Sequence, residues 1–238
     1  MPNAKRLPCL LLAAGRGERM RPLTDDLPKP LLKIKDKSLL QWHLEALSDA
    51  GIQNIVINHA WLGQKIEGTL GNGAQFGVQI QYSPEDTALE TAGGIRKALP
   101  LMNPDDYFLV INGDVFCQNF PIGALIEAHS ALSGSQNPPL AHLVMVPNPV
   151  QHPDGDFYLN HSQVSEIESP GAERLTFSGI GIYHRNLFQD LVVGIPAKLA
   201  PLLQAAMKDN KVSGEKYLGS WHDVGTPQRL QELNASDE

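Results

Sequence analysis

A glycine-containing segment near the start of the chain has the residue types that bind phosphate. Gly15 and Gly17 follow a short apolar run, and Arg19 lies two residues further along. Glycines let the backbone approach a ligand closely and direct its N–H groups at phosphate oxygens. Lys29 lies between two prolines, which keep the chain extended and fix the direction of the lysine. We therefore predict a nucleoside triphosphate site; the alternative is a tight turn followed by a solvated basic loop.

Two aspartates that follow or end predicted strands could share a metal ion. Asp114 comes directly after a buried apolar stretch and an Asn-Gly pair, and Asp223 precedes a Gly-Thr pair. Carboxylates are ligands that Mg²⁺ prefers, and few protein ligands suffice when phosphates supply the others. Either aspartate alone could instead form a turn or cap a helix. Together, Asp114 and Asp223 predict a Mg²⁺ site.

A third segment could receive a nucleobase. Thr91, Ala92 and Gly93 are small, so a flat base could lie against their backbone, and Glu90 could accept hydrogen bonds from it. A helix that starts at glycines without any ligand is the alternative. The two cysteines exclude a disulfide framework, and the eight histidines are assigned no catalytic role.

Strands and helices alternate along most of the chain, which predicts an α/β fold with a mostly parallel, doubly wound sheet. Strands are predicted over residues 7–13, 54–60, 78–82, 107–111, 141–146, 157–159, 164–167, 177–183 and 217–224. Helices are predicted over residues 38–51, 62–70, 91–99, 122–132, 197–207 and 227–234, with Ser38 capping the first and Pro100 ending the third. Such sheets bind ligands at the carboxyl ends of their strands, which is where the phosphate-binding segment and both aspartates lie.

Composition excludes several classes of protein. The net charge of −7 gives no electrostatic reason to bind nucleic acid or an anionic membrane. No stretch of 18 uninterrupted apolar residues is present, so we expect no membrane span and a cytoplasmic location. Seven lysines and arginines nevertheless crowd residues 16–37, which favours a local anion site.

The motifs together resemble the signature of the nucleoside-diphosphate-sugar pyrophosphorylases, and they keep that family's order over essentially the whole chain. The similar segments are residues 12–24, 28–31, 112–114 and 221–226. The resemblance implies a single nucleotidyltransferase domain over residues 1–238. Its Rossmann-like nucleotide-binding core would cover about residues 1–146, and a smaller sugar-binding part would cover about residues 147–238.

The resemblance also implies roles for individual residues. Nucleotide-binding roles fall on Ala13, Ala14, Gly15, Gly17, Glu18, Arg19, Lys29, Glu90, Gly93 and Asn112. Catalytic roles fall on Arg19, Lys29 and Asp114. Sugar-binding roles fall on Asp114, Asp156 and Glu168. Asp114 and Asp223 are implied to bind Mg²⁺, as the residue pattern itself suggests.

Within this family, residues 57–63 and 83–94 are similar to the N-acetylmuramate α-1-phosphate uridylyltransferases of peptidoglycan recycling. This implies UTP and N-acetylmuramate 1-phosphate as substrates. Separately, we expect a monomer, because no extra assembly domain follows. Two departures leave alternatives open. Ser169 stands where many relatives have a lysine, so the contacts to the acceptor phosphate are undefined. Residues 91–93 also resemble guanylyltransferases that act on mannose-1-phosphate.

Two further alternatives differ in class. A non-catalytic regulatory subunit of the same fold would be expected to lose at least one of Arg19, Lys29, Asp114 and Asp223, and all four are present. An NAD-dependent dehydrogenase would have a third glycine in the phosphate-binding segment, which this sequence lacks. In such enzymes an acidic residue that binds the ribose follows the glycines at a typical distance in the sequence. Asp36 lies near that distance, but the third glycine is missing.

Overall fold

A nine-stranded sheet forms the centre of the protein in the computed structural model, which describes residues 7–236. The strands are β1 (Cys9–Ala13), β2 (Lys33–Ile34), β3 (Lys37–Ser38), β4 (Asn54–His59), β5 (Gln79–Pro84), β6 (Tyr107–Asn112), β7 (Val115–Phe116), β8 (Ala141–Val146), β9 (Phe157–Asn160), β10 (Gln163–Ser165), β11 (Glu173–His184), β12 (Val212–Lys216) and β13 (His222–Asp223). The helices are α1 (Leu39–Asp49), α2 (Gly63–Leu70), α3 (Glu90–Met102), α4 (Ile122–Ser133), α5 (Leu199–Lys208) and α6 (Pro227–Ala235). The strand order in the large sheet is β5-β4-β1-β6-β11-β8-β12-β10-β9.

The first half of the sheet is parallel and buried on both faces. β1 lies between β4 and β6, with Leu11 opposite Ile57 on one side and Ile111 on the other. Cys9 and Leu11 pack in a core with α1, α2 and α4, whereas Leu10 faces a second core with α3 and α5. Side chains alternate between the faces of a strand, so two covered faces require a continuous apolar run.

The second half of the sheet is largely antiparallel and closes on itself. β11 pairs antiparallel with β6 and β8, while β12 pairs parallel with β8. β10 joins β12 to β9, and β9 returns to pair with the start of β11. These five strands therefore form a closed ring of pairings beside the parallel half. The predicted α/β class is confirmed, with a mixed sheet.

The predicted division near residue 146 stays a prediction. The large sheet includes strands from both sides of that position, since β8 pairs with β11 and β12. Residues 1–6 and 237–238, which the predicted domain ranges include, lie outside the described residues.

The prediction that Pro100 ends the third helix is wrong. Pro100 lies inside α3, which continues to Met102 and is capped by Asn103 in the left-handed region, with φ 42°. The Asn103 N–H donates to the Leu99 carbonyl at 2.9 Å, which completes the last turn. Met102 is buried in the core, and this packing favours the extra turn although proline removes one helical hydrogen bond.

The predicted strand over residues 217–224 is also wrong in extent. Only His222 and Asp223 are in a strand there, and the long strand of this region is β12, five residues earlier. β12 contains Gly214, which ordinarily weakens a strand. A Cβ atom at Gly214 would lie 2.7 Å from Val164 Cγ2 and 2.8 Å from the Leu143 carbonyl oxygen, so close packing of neighbouring strands requires glycine.

A small third core joins the chain's last helix to the segment after β1. Leu230 and Leu233 of α6 pack with Met20, Ile34 and Val224. The Ser38 cap of α1, predicted from the sequence, is confirmed, because its hydroxyl accepts from the Gln41 N–H at 3.2 Å. Within residues 7–236 no helix has the length and apolar character needed to cross a bilayer.

A buried histidine makes the fold sensitive to acid. His129 of α4 is 4% exposed, and among the described residues neither ring nitrogen has a hydrogen-bond partner. Burial, with smaller effects from His142 and His184, lowers the pKa of His129 to about 4. An unfolded histidine titrates near about 6.5, so the unfolded chain binds more protons below that pH. Stability is therefore complete above about pH 6.5 and falls as the pH drops towards about 4.

We predict that His129→Leu reduces this acid sensitivity. Leucine has no proton to gain, so the loss of unfolding free energy between pH 7.5 and pH 5 should be about 2 kcal/mol smaller than in the unaltered protein. Urea denaturation at both pH values measures the difference. The exposed His161→Asn variant is the control and should keep the original pH dependence. An equal loss in His129→Leu and in the unaltered protein would contradict the assignment.

Candidate active site

The segment after β1 turns sharply at Gly17, and the packing there requires glycine. Gly17 has a φ of 69°, and a Cβ atom would lie 3.1 Å from side-chain atoms of both Lys29 and Thr24. Gly15 differs, because a Cβ atom there would meet no described atom within 4 Å. Packing within the protein therefore leaves Gly15 open to a ligand. Residues 13–15 line a cavity of about 380 Å³ at the carboxyl end of β1.

Thr24 holds the predicted phosphate-binding segment (residues 13–19, the phosphate loop) through its hydroxyl and its carbonyl. The buried hydroxyl donates to the Gly17 carbonyl at 2.8 Å. The Thr24 carbonyl accepts from the Arg16 guanidinium at 2.9 Å and from the Trp61 indole N–H at 3.1 Å. Arg16 also lies 3.6 Å from the Trp61 ring centroid in a cation–π contact. Arg16 thus orders the loop, whereas Arg19 is exposed.

An ion pair between Lys29 and Asp114 lines the same cavity. Lys29 begins a 3₁₀ turn, Lys29–Leu31, which Pro28 precedes. Its Nζ donates to Asp114 Oδ2 at 2.6 Å, and the lysine side chain is only 9% exposed while that of Asp114 is 35% exposed. The fold thus presents a largely desolvated cation and a partly exposed carboxylate side by side at an open cavity.

A two-stranded ribbon places the backbones of the two predicted metal ligands on adjacent segments, although they are distant in the sequence. β7 pairs antiparallel with β13, which sets Asp223 opposite Val115. The Val224 N–H donates to the Asp114 carbonyl at 3.0 Å, so the two aspartates lie on neighbouring chain segments. Arg229 of α6 donates to Asp223 Oδ2 at 2.9 Å and to its carbonyl at 3.2 Å, which orients this carboxylate.

The donor set at this ribbon fits a hard divalent cation. Residues 7–236 contain no group of three or more His, Cys, Asp or Glu side chains that could hold a metal ion by themselves. Asp114 and Asp223 would therefore supply two carboxylate ligands, and substrate phosphates would supply others. Lys29 and Arg229 each contact one of these carboxylates, so the negative charge is balanced before any cation binds.

His43 lies next to these carboxylates and carries no charge at neutral pH. It is buried, and burial lowers its pKa to about 4 despite the opposing effects of the Val115 backbone and the Asp114 charge. A protonated imidazole here would repel a divalent cation. The neutral ring therefore adds no positive charge beside Asp114.

The start of α3 lies on the other side of the cavity in a strained conformation. Glu90 and Thr91 line the cavity, and Glu90 has a φ of 59°, which non-glycine residues rarely adopt. Such a residue costs of order 1–3 kcal/mol, and its neighbours must hold it in place. Leu89 does so, since its N–H donates to Glu85 Oε2 at 2.8 Å and its carbonyl accepts from the Ala197 N–H at 3.0 Å.

A buried hydrogen-bond chain connects this strained turn to the phosphate loop. Asn58 Oδ1 accepts from the Ala13 N–H at 2.8 Å, and Asn58 Nδ2 donates to Glu85 Oε1 at 2.7 Å. Glu85 Oε2 accepts from the Leu89 N–H, and both linking side chains are at most 5% exposed. A Cβ atom at Gly94 would lie 2.8 Å from both Asn58 Nδ2 and Glu85 Oε1. These two side chains therefore position both walls of the cavity.

Asn58 and Glu85 lie in the two segments that resemble the uridylyltransferases, but the sequence assigns neither residue a role. The sequence signal for a role of Glu85 is its position shortly after a predicted strand, in Ser83-Pro84-Glu85. Nothing in the sequence indicates that its two oxygens serve two separate parts of the site.

Asn112 lines the cavity between the phosphate loop and the antiparallel half of the sheet. β11 has an irregular register between Phe177 and Gly181, and Gly179 has a φ of 82° there. A Cβ atom at Gly179 would lie 2.6 Å from Asn112 Nδ2, so this bulge makes room for the amide. The Trp221 indole N–H donates to the Ser178 carbonyl at 2.9 Å and ties the segment before Asp223 to the same bulge.

Several predicted nucleotide-binding residues lie outside the cavity lining. Glu18 and Arg19 are exposed beyond the turn at Gly17. Arg19 points towards the metal-ligand ribbon, because a Cβ atom at Gly225 would lie 3.4 Å from Arg19 Nη2. Gly93 faces away from the cavity, since a Cβ atom there would lie 2.6 Å from the Ile195 carbonyl oxygen.

Of the three residues predicted to bind sugar, Asp114 lines the phosphate-loop cavity, whereas Asp156 and Glu168 do not. Asp156 accepts from the Phe177 N–H at 2.8 Å through Oδ2 and contacts His152 at 3.0 Å through Oδ1, so both oxygens support the turn before β9. Glu168 lines a separate cavity formed by the β9–β10 turn and the loop before β11. The structure therefore places neither side chain in the lining of the phosphate-loop cavity.

Comparison with known proteins relates this geometry to a family. Residues 9–238 match the family model described as nucleotidyl transferase. The N-acetylmuramate alpha-1-phosphate uridylyltransferase of Neisseria meningitidis serogroup B is 51% identical over 227 residues, which cover 95% of this chain and 96% of that protein. A mannose-1-phosphate guanyltransferase of Gibberella zeae is 30% identical over 223 residues, which cover 92% of this chain and 60% of that protein.

A solved structure has the same fold at low sequence identity. The crystal structure of a UDP-glucose pyrophosphorylase complexed with UDP-glucose matches with a TM-score of 0.73, over 96% of this chain and 97% of that chain, at 17% identity. The fold, the cavity built on the end of β1 and the family match over almost the full sequence agree. The chain belongs to the nucleotidyl transferase family, whose sugar-1-phosphate enzymes it resembles over its whole length.

Proposed function

We propose that this protein transfers the uridylyl group of UTP to N-acetylmuramate α-1-phosphate, which forms UDP-N-acetylmuramate and pyrophosphate. The observation that carries the proposal is the cavity in which the phosphate loop, the Lys29–Asp114 ion pair and the start of α3 meet. The choice of donor and acceptor is supported by the relative from Neisseria, which is 51% identical over 95% of this chain.

The reaction needs no general base from the protein. The acceptor phosphate is already ionised near neutral pH, so one of its oxygens can attack the α-phosphorus of UTP directly. The bond from that phosphorus to the bridging oxygen breaks, and pyrophosphate leaves with the electron pair. Catalysis then depends on alignment and on neutralising charge. Open backbone at Gly15 suits the first task, and the shielded Lys29 ammonium suits the second.

Mg²⁺ held by Asp114 and Asp223 would neutralise charge on the triphosphate. Before substrate binds, Lys29 and Arg229 hold the two carboxylates in place. Glu90, with its backbone fixed by Leu89, would accept hydrogen bonds from the base. We also propose a cytoplasmic location, a monomer, and a sugar-binding part built on the antiparallel half of the sheet.

The second candidate is guanylyl transfer to mannose-1-phosphate. It is supported by the guanyltransferase of Gibberella zeae, which is more distant at 30% identity and of which this chain covers 60%. Both candidates share the same phosphate and metal chemistry and differ only in the base and the sugar.

A substrate panel decides between them. Purified protein with Mg²⁺ would be offered UTP, GTP, CTP or dTTP with several sugar-1-phosphates, and pyrophosphate release would be measured. We expect release with UTP and N-acetylmuramate α-1-phosphate, and its loss when EDTA removes the metal. Release only with GTP and mannose-1-phosphate would establish the second candidate, and no release with any pair would refute an enzymatic role.

We predict that Lys29→Met abolishes most turnover without unfolding the protein. Methionine fills a similar volume but has no charge, so a contact to the developing charge is lost and kcat should fall about 100-fold or more. Lys33→Met, an exposed lysine four residues further along, is the matched control and should keep its kcat. Thermal melting would verify that both variants fold. A kcat close to the original in Lys29→Met would refute its role.

We predict that Glu85→Gln weakens UTP binding through the two walls of the cavity. Asn58 cannot rotate without losing the Ala13 N–H, so it presents Nδ2 to position 85. The Leu89 N–H approaches the same side chain from the other direction. A glutamine side chain has one acceptor oxygen and one amide NH₂ group. One of the two donors must therefore face this NH₂ group, at a cost of about 1–3 kcal/mol.

Steady-state kinetics distinguishes a loss of nucleotide positioning in Glu85→Gln from a general loss of protein stability. We expect KM for UTP to rise about tenfold, with a smaller change for the acceptor, because both walls contact the nucleotide. Asp86→Asn removes a charge from the exposed neighbour and should leave both KM values unchanged. Equal changes in both KM values, at a temperature where the variant is fully folded, would contradict a role in positioning the nucleotide.

A further inference from the structure

A second cavity, at the other end of α3, has the composition of an oxyanion site. Its volume is about 400 Å³, similar to that of the phosphate-loop cavity. Arg96 and Arg185 line it together with the side-chain amides of Asn103, Asn186 and Gln189. No Asp or Glu from residues 7–236 is part of its lining. Two guanidinium groups and three amides offer many hydrogen-bond donors and little negative charge.

Two elements build the cavity and set its position. Arg96, Leu99, Pro100 and Asn103 recur at the spacing of one helix face, so α3 forms one wall. The 3₁₀ turn Arg185–Phe188 forms the other. This turn is anchored because the Arg185 N–H donates to the Asp106 carbonyl at 2.8 Å and Phe188 is fully buried. The site is therefore built on fixed elements of the fold.

Both arginines keep most of their donors available. Arg96 Nε donates to the Leu191 carbonyl at 2.9 Å, and Arg185 Nη1 is 3.5 Å from the Pro104 carbonyl oxygen. Neither guanidinium is within ion-pair distance of a carboxylate in the described part of the chain. Each guanidinium has five N–H donors arranged in a fork that matches phosphate or carboxylate oxygens. The chain carries a net charge of −7, so two guanidinium groups at one cavity without a carboxylate partner form a local positive site.

The cavity is larger than inorganic phosphate requires. Leu99, Pro100 and Pro104 add an apolar wall next to the arginines. Cavities of roughly 300–1,000 Å³ with an apolar wall and a few polar groups are typical of small-molecule sites. Two guanidinium groups match the several oxygens and the double charge of a phosphate ester better than the single charge of a carboxylate.

We propose that this cavity binds a phosphorylated metabolite, with its phosphate on Arg96 and Arg185 and its organic part against Leu99 and the two prolines. The site is separate from the phosphate-loop cavity, because Leu99 lies nine residues along α3 from Glu90, or roughly 14 Å. The proposal uses no residue of the nucleotide site and does not depend on the reaction proposed above.

Binding is tested by titrating the full-length, ¹⁵N-labelled protein with inorganic phosphate, phenyl phosphate and benzoate. Backbone amide and arginine Nε–H resonances would be followed by NMR. We expect saturable shifts for residues 96–104 and 185–189, with phenyl phosphate binding about tenfold more tightly than inorganic phosphate. Lys29→Met, which removes a phosphate-binding cation from the other cavity, should retain these shifts.

Arg185→Gln is the informative variant. Arg185 is exposed and its one side-chain hydrogen bond is long, so the variant should fold. We expect it to weaken phosphate binding at this cavity about tenfold. Arg174→Gln, an exposed arginine that lies over Tyr158, is the matched control and should bind normally.

Three outcomes would overturn the proposal. Absence of saturable shifts at residues 96–104 and 185–189 would show that the arginines bind no anion and only stabilise the end of α3 and the loop at Leu191. Unchanged binding in Arg185→Gln would place the anion elsewhere. Benzoate binding as tightly as phenyl phosphate would refute a phosphate-selective site.

Discussion

The hydrogen bonds around Asn58 and Glu85 are the constraint on which the active-site geometry depends. One amide and one carboxylate, both buried, hold the Ala13 N–H on one side and the Leu89 N–H on the other. A buried carboxylate is costly unless its oxygens are satisfied, and here each oxygen has a donor. The position of the phosphate loop relative to the start of α3 is thus set by two buried side chains, of which Asn58 also lines the cavity.

Charge is arranged around the cavity in pairs. Lys29 faces Asp114, and Arg229 faces Asp223, so the site is nearly neutral in each local region. Each carboxylate therefore has a cationic partner within hydrogen-bond distance. The neutral His43 adds no competing charge. An anionic triphosphate would bind together with a divalent cation, whose charges oppose each other. The site would therefore stay close to neutral.

α3 connects the phosphate-loop cavity to the cavity lined by Arg96 and Arg185. Its first turn is fixed by Leu89 and Ala197 beside the nucleotide cavity, and its later turns carry Arg96 and Leu99 of the second cavity. The segment of residues 191–197 contacts both ends, because the Leu191 carbonyl accepts from Arg96 and the Ala197 carbonyl accepts from the Ala92 N–H. This helix is buried along one face, so its ends are held in a fixed relation.

The sequence by itself determined the parts of the site that depend on short spacings. Gly15, Gly17 and Lys29 belong to one continuous segment, and the short apolar run before them is typical of a strand that is covered on both faces. The family and the α/β class follow from these local patterns together with the order of motifs. Local spacing also identified the Ser38 cap of α1.

Tertiary structure alone decided which distant side chains meet. The sequence paired Asp114 with Asp223 as metal ligands, but β7 and β13 are too short to be predicted, and their pairing sets Asp223 opposite Val115. Gly93 and Gly214 are glycines because of neighbours far along the chain, and Pro100 stays helical because Met102 is buried. Glu85 acquires its role only when two donors from separate segments reach its two oxygens. Contacts between remote segments depend on how the whole chain packs. This packing produces no periodic pattern of residues in the sequence.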